Sequence, residues 1–420
     1  MLPLLRLSSI SAICLLAASA LAQPIPVTLT GAPGSYTLMR DGKPYFIASA
    51  GGIDHIASLA AAGGNSVRTW GADDIGPLLD EAHRLGMSVT VGIWLEHERH
   101  GFDYDNKEMV AAQFEKAKAA ILKYKDHPAV LMWGIGNEME GYGNDEAIWV
   151  AVNAIAKMAK ELDPNHPTMT VVAEMGDKGQ KVKNIHRFCP DIDIIGLNSY
   201  GGGPSIAERY KAHGGTKPYI ITEFGPNGTW EIGRNAFKAP IEPTSTQKAA
   251  SYRATYEKSV LGAKGTSLGS YAFLWGDKME ATATWFGMLL PDGTRLAAAE
   301  TMSELWTGKP PANRVPVINA FAYDGPDRCK KGYQLKIKLD VTDPENDTLK
   351  AEWVLLRETE QYETGGDFIA TPEQLATAVY DASLTGTTVH LPGPGVYRIY
   401  AYIRDGKGGG ATANLPLLVE

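Results

Sequence analysis

Between about Tyr36 and Trp306 the sequence repeats one device eight times: a short apolar run, then an amphipathic segment. The first run is "KPYFIASAGG". It is followed by "NSVRTW", "MSVTVGIW", "AVLMWGIGNE", "PTMTVVAE", "IDIIGLNSY", "KPYIITEFG" and "SLGSYAFLW". The segments between them read as helices. In "DIGPLLDEAHRLG" the leucines recur at helical spacing, and Gly86 stops the pattern. Near-continuous apolar runs are what parallel strands need when both of their faces are covered. Eight such units over roughly 270 residues predict a closed (β/α)8 TIM barrel. A doubly wound open sheet is the alternative, but it more often carries a glycine-rich phosphate loop after its first strand, and "GGID" is too weak for one.

The remaining chain divides around this barrel. Residues 1–22 read as an export signal: Arg6 is the basic start, "ISAICLLAASALA" the apolar stretch, and Ala20-Leu21-Ala22 the cleavage site before Gln23. A single membrane anchor is the alternative, disfavoured by the shortness of the stretch. The mature chain is therefore expected in the periplasm or medium, with no membrane span. Residues 23–308 form the expected barrel, and 309–316, within the Pro-rich "TGKPPANRVP", a linker. From 317 to 420, strand-like runs such as "QLKIKLDVT" and "VYRIYAYIRDG" alternate with turns, which predicts a small β-sandwich. Its "DVTDPENDTLKAEW" resembles the immunoglobulin-like and PKD-like modules appended to exported bacterial enzymes. That resemblance implies no chemistry. The acidic cluster Asp343, Glu345, Asp347 reads as a solvated turn, with calcium binding as the alternative. Cys189 and Cys329, far apart, read as free and structural.

Formal net charge is −8 without a long basic run, which argues against a nucleic-acid partner. In a TIM barrel the working groups sit at the C-terminal strand ends. Here those ends hold Arg68 and Trp70; Trp94 with Glu96, His97 and His100 after it; Asn137 and Glu138; Glu174; Asn198 and Tyr200; Glu223; and Trp275. There is no reactive cysteine, no G-x-S-x-G elbow and no phosphate loop. "HERH" lacks the H-E-x-x-H spacing of a zinc site, so neither a metal nor a cofactor is expected. Two carboxylates on opposite sides of a mouth are what glycoside hydrolysis requires, one to donate a proton to the leaving oxygen and one to attack the anomeric carbon or activate water. Glu138 and Glu223, on strands four and seven, are that pair. Arg68 can support a nearby carboxylate or be a structural ion-pair partner. Asn198 can serve the site or close a turn. Trp70, Trp94 and Trp133 are core by default, with one or two facing the cleft. Glu174 is a rival carboxylate that can line the pocket, and Glu140 is expected to point outward.

"WGIGNE" and "ITEFG" resemble the two signatures of clan A retaining glycoside hydrolases. "GGNSVRTWG", "PDIDIIGLNSY" and "YAFLWG" occupy matching places. "DGKPYFIASAGG" and "LDEAHRLGMSVTVGIWLEHERHG" are most similar to the glycoside hydrolase family two barrel. The resemblance implies that Glu138 is the acid/base and Glu223 the nucleophile. It implies that Asn137 binds the hydroxyl next to the reacting carbon, that Tyr200 hydrogen-bonds the nucleophile, and that Arg68 supports it. Trp275 would be the sugar platform, and His97 would join the substrate-binding set with Asn198. It further implies retention of configuration, no metal, and an oligo- or polysaccharide substrate such as a β-glucan or related β-glycoside. A transglycosylase using the same intermediate, or a non-catalytic carbohydrate-binding barrel, is the alternative. The chain departs from typical family two members in having no sandwich before the barrel and one after it, a layout more like family five.

Overall fold

The computed structural model describes residues 23–362 and 365–420, so the export signal expected at 1–22 lies outside the described residues. Eight parallel strands close into the expected barrel: β4 (Ile47–Gly51), β5 (Ser66–Arg68), β6 (Ser88–Ile93), β7 (Val130–Asn137), β8 (Thr168–Ala173), β9 (Ile194–Asn198), β10 (Tyr219–Glu223) and β11 (Ser267–Ala272). β11 pairs with β4 to complete the ring. All six residues of β6 and seven of the eight in β7 are buried, as strands covered on both faces must be.

The helices follow from ordinary capping and patterning. The helix Lys107–Tyr124 starts at Asn106, whose side chain accepts from the backbone N–H groups of Glu108 and Met109. The helix Glu146–Leu162 starts at Asp145 and turns Ile148, Val152, Ile155 and Ala159 inward at helical spacing. The helix Ser245–Thr255 carries a full capping box between Thr244 and Gln247. The helix Ala297–Thr307 ends the barrel at Gly308, in the left-handed conformation. Among the described residues no helix is long and apolar enough to cross a membrane.

The start of the expected barrel segment is not barrel. β1 (Val27–Thr30), β2 (Thr37–Arg40) and β3 (Lys43–Pro44) form a separate antiparallel sheet. Val27 N–H bonds Asn165 O, and Tyr36 N–H bonds Gly265 O, in the turns just before β8 and β11. The small sheet thus covers the N-terminal ends of the barrel strands. Its Val27 and Leu38 pack with Met132, Met169 and Ile220. This floor seals the apolar bottom of the barrel and leaves the opposite end, where the polar strand tips lie, as the open mouth.

The tail is the expected sandwich. One sheet runs β12 (Val317–Asp324), β14 (Gln334–Thr342), β17 (Gly386–His390), β16 (Val379–Tyr380). The other runs β13 (Arg328–Cys329), β19 (Gly410–Val419), β18 (Gly395–Arg404), β15 (Lys350–Arg357). β14 alternates exposed and buried residues over most of its length. Leu335 and Ile337 meet Trp353, Ile399 and Leu417 from the facing sheet. Cys189 and Cys329 are free and buried.

The sandwich is fused to the barrel through a dry polar joint. Glu242, 6% exposed, accepts from Lys248 Nζ, from Thr282 Oγ1 (2.5 Å), from Thr284 Oγ1 (2.8 Å) and, from the sandwich, from Asn414 Nδ2 (2.6 Å). Arg398, 1% exposed, makes two bonds to Glu358, one to Asn414 Oδ1 and one to the barrel carbonyl of Pro240. Buried charges require partners, and here the partners come from both domains. Asn414→Ala removes one donor from a buried carboxylate and one acceptor from a buried guanidinium. We expect a loss of about 1–3 kcal/mol in urea unfolding, within one transition shared by barrel and sandwich; separate transitions would contradict the fused joint.

Candidate active site

β7 ends in the segment Trp133-Gly134-Ile135-Gly136-Asn137-Glu138. Its pairing with β8 shifts register between Ile135 and Asn137, a bulge that re-aims the following side chains. Gly136 makes this turn at φ +74°, and a Cβ there would lie 2.3 Å from Met139 Sδ. Glu138 itself adopts φ 55°, an uncommon conformation for a residue with a side chain. Such strained positions persist where surrounding contacts enforce them. Here the Glu138 N–H bonds Val171 O (3.0 Å), and the carboxylate takes a 2.6 Å bond from Asn198 Nδ2.

Across the mouth, β10 ends at Glu223, which faces Asn198 in the β9 ladder. Three donors converge on its carboxylate: Arg68 Nη1 (2.8 Å) and Trp70 Nε1 (2.8 Å) on one oxygen, and Tyr200 OH (2.9 Å) on the other. Arg68 is 2% exposed, and its other nitrogen donates to Asn137 Oδ1 at 2.6 Å. Asn198 Nδ2 also donates to Asn137 Oδ1 (3.1 Å), and Asn198 Oδ1 accepts from Thr222 (2.7 Å). Arg68, Asn137, Glu138, Asn198, Tyr200 and Glu223 therefore form one connected network. Asn198 is a member of it and not a turn residue.

The two carboxylates have different surroundings. Burial, then the like charge of Glu223, pushes Glu138 up to about 7; Glu140 adds to the rise, while Asn198 and Arg68 oppose it. Burial, reinforced by both glutamates, raises the Tyr200 phenol well above its ordinary value, so it stays a donor.

Two expected members of the substrate-binding set lie elsewhere. Trp275 is 1% exposed; its indole bonds His55 O and Ser58 Oγ and tilts against Trp306. It packs behind the barrel wall because the chain beyond β11 turns Phe273 and Leu274 to the cavity instead. His97, 5% exposed, stacks on Trp94 at 5.1 Å and does not reach the cavity. Burial, with Arg99 and His100 nearby, lowers it to about 4. Glu140 does not point outward. It is 2% exposed, paired with Lys181 (2.6 Å) and bonded to the N–H of Ala173. Glu174 lines the cavity and pairs with Arg209 (2.6 Å).

A cavity of about 670 Å³ opens over the two glutamates. Its aromatic walls are Trp70, Trp94, Tyr200, Trp230 and Phe273. Trp70 was visible in the sequence as the aromatic two residues after Arg68, but core and cleft readings could not be separated there. Gly92 decides it by letting the backbone of residue 70 approach to a distance that a Cβ would forbid, 2.5 Å from its carbonyl carbon. Glu280 and Lys278, paired at 2.7 Å, also line the cavity from an irregular loop that carries no periodic signal. One wall comes from the sandwich. Gly365, Gly366 and Asp367 reach the mouth, where Arg99 donates to Gly365 O and Asp367, and Lys278 to Gly366 O. The tail, which sequence resemblance left without chemistry, thus shapes the site.

Residues 72–240 match the family model for the TIM barrel domain of glycosyl hydrolases family 2. The barrel of this chain is similar to that domain. The chain is 29% identical over 138 residues to a β-glucuronidase of Paenibacillus borealis and 28% identical over 155 residues to mannan endo-1,4-β-mannosidase F of Aspergillus fumigatus. Each match covers 29% of this chain, but only 21% of the first relative and 33% of the second. Among solved structures, the β-glucuronidase of Dictyoglomus thermophilum matches with a TM-score of 0.52 at 18% identity, over 68% of this chain and 54% of that one. The FMN-binding β-glucuronidase of Faecalibacterium prausnitzii matches with 0.53 at 15% identity, over 94% and 59%. These structural likenesses bear on the fold of the family 2-like barrel.

The raised Glu138 has a consequence for stability. A carboxyl whose folded value lies above its unfolded one favours folding at low pH, and that contribution is lost as pH rises through about 7. Glu138→Gln has no such group. Its stability relative to wild type should therefore increase from pH 5 to pH 8 in paired denaturant curves; a constant difference would show that Glu138 is not perturbed.

Proposed function

We propose that this protein is an exported, retaining O-glycosyl hydrolase that cleaves a β-glucan or a related β-glycoside by double displacement. The observation that carries the reading is the asymmetry of the glutamate pair: one is pushed up to about 7 beside the other, which is held by three donors. A raised carboxyl beside a carboxylate held by donors divides acid from nucleophile. The pair's position on a family 2-like barrel, and the activities of the relatives, support the same chemistry.

Glu223 is the nucleophile. The donors from Arg68, Trp70 and Tyr200 orient its carboxylate toward the anomeric carbon. Attack breaks the bond to the leaving oxygen and forms a glycosyl ester, while Glu138 gives its proton to that oxygen. The departing charge is thereby neutralised. Glu138 is then a carboxylate, and as Glu223 becomes an ester, the like charge that had raised Glu138 disappears. Glu138 can take a proton from water, which attacks the anomeric carbon and releases Glu223. Asn137 accepts from Arg68 and Asn198 through its oxygen, which orients its amide nitrogen to donate to the sugar hydroxyl beside the reacting carbon. Trp70, Trp94, Trp230 and Phe273 offer apolar faces for sugar rings. A cavity of this size, walled on one side by the sandwich, suits a short oligosaccharide or a chain end.

On a panel of β-glycosides and β-glucans, kcat/KM should fall as pH rises through about 7, because the proton donor is then lost. Glu138→Gln should lower kcat/KM by about 10²–10⁴-fold on substrates with poor leaving groups and far less on activated aryl glycosides. Glu223→Gln should abolish turnover of both. A slowly hydrolysed fluorinated glycoside should leave its sugar mass on the Glu223 peptide, and proton NMR should show the β-anomer first. Turnover with an α-anomer first would reject retention. No turnover on the whole panel, with sugar binding intact in Glu223→Gln, would favour a binding barrel.

A further inference from the structure

The sandwich carries a cluster of three aspartates at its seam with the barrel. Asp343 opens the β14–β15 turn and Asp347 follows in it, while Asp405 opens the β18–β19 turn. One carboxylate oxygen from each lies within 4.8 Å of the others. Two oxygens sharing a cation at 2.3–2.6 Å can be no more than about 5 Å apart, so these three are spaced to share one. The sequence pattern grouped Asp343 with Glu345 and Asp347. The fold replaces Glu345, which instead accepts from the Arg314 N–H, with Asp405 from 58 residues beyond Asp347.

The second observation is an orphaned atom. Asp343 is 9% exposed; its Oδ1 accepts the N–H groups of Glu345 and Asp347, but its Oδ2 is buried without any partner. Asp347 Oδ2 is buried and unpartnered as well. Asp405 is oriented by Asn313 Nδ2 (2.7 Å) and by the N–H groups of Lys407 and Gly409. Among the described residues, one ammonium pairs with the cluster, Lys407 Nζ on Asp347 Oδ1 (2.5 Å), and its side chain is 60% exposed. A buried carboxylate oxygen with neither donor nor cation is costly, and three carboxylates against one ammonium leave two negative charges unmatched.

We propose that Asp343, Asp347 and Asp405 bind one calcium ion. The donor set is all oxygen, which selects a hard cation, and it comes from two turns and not from a rigid cage. Such a set suits the flexible coordination of calcium better than the strict octahedron of magnesium. Water and nearby carbonyls would complete the shell. The ion would act as a rivet. Asp405 heads the turn whose Gly408 O accepts from the Arg295 N–H of the barrel, and Gly410 N–H returns to Arg295 O. Asn313 ties the inter-domain segment to the same carboxylate. Fixing Asp405 therefore fixes the seam.

The test uses the full-length chain stripped with EDTA. Isothermal titration with calcium chloride should give one site per chain, and the melting temperature should climb with calcium concentration while equal magnesium has little effect. Asp343→Asn and Asp347→Asn should each weaken binding by at least tenfold. Lys407→Gln, which removes the competing ammonium, should bind calcium several-fold more tightly. No binding heat and no melting shift in the wild type up to about 10 mM calcium, well above the range of extracellular calcium modules, would overturn the proposal. If the aspartate variants fail to fold, Lys407→Gln still decides: unchanged or weaker calcium binding in it would also overturn the site.

Discussion

The site depends on a buried cation. Arg68 stands at the end of the second barrel strand with almost no exposure, and a guanidinium so placed must find its counter-charge nearby. It finds Glu223 three strands away around the closed barrel, and with another nitrogen it holds the amide oxygen of Asn137 at the end of the fourth. One side chain thus couples three strand ends. It provides a charge partner for one glutamate and orients the amide that precedes the other. Trp70 packs beside it, 5.0 Å from the guanidinium carbon, and adds an indole N–H to the same carboxylate oxygen. Arg68 also donates to the carbonyl of Thr222, so it holds both the Glu223 side chain and the backbone just before it.

The contrast between the glutamates follows from this arrangement. Glu223 takes three donors, whereas Glu138 takes one side-chain donor, from Asn198, and faces the charge of its partner at a buried position. Glu140, two residues on, deepens the difference. It lies on the inner side of the chain because Lys181 draws it there, and it adds negative potential behind Glu138. The backbone supports this through a bulge, a left-handed glycine and a left-handed glutamate in succession. These features bring Asn137 and Glu138 to the cavity together, although adjacent residues of a regular strand would face opposite sides.

The sandwich is an integral part of the molecule. Its buried arginine is satisfied partly by a barrel carbonyl, and the barrel's buried Glu242 is satisfied partly by a sandwich asparagine. Separating the domains would break these bonds and return both charged groups to water. The same docking carries residues 365–367 to the barrel mouth, where they wall the cavity. A module that reads as an appendage in sequence therefore contributes to what the cavity can accept.

The repeated alternation of apolar runs and amphipathic segments determined the barrel, and with it the side on which strand-end residues gather. That was enough to single out Glu138 and Glu223 and to group Arg68, Asn137, Asn198 and Tyr200 with them, since every parallel strand ends at one mouth. The same logic does not extend past the strand ends. Trp275 and Phe273 lie two residues apart, and only the path of the chain after β11 put Phe273 in the cavity and Trp275 behind it. His97 stacks behind Trp94, while Trp70, for which the sequence leaves core and cleft both open, bonds Glu223. Glu140 needed Lys181, 41 residues away, to reveal it as buried. The floor made by residues 27–44 and the wall made by residues 365–367 also lay beyond local pattern. Periodicity reports which face of an element is buried, so the sequence by itself determined the scaffold and the end that carries the chemistry. Which side chains share a cavity depends on loop paths and on contacts distant in the chain, and those only the tertiary structure decided.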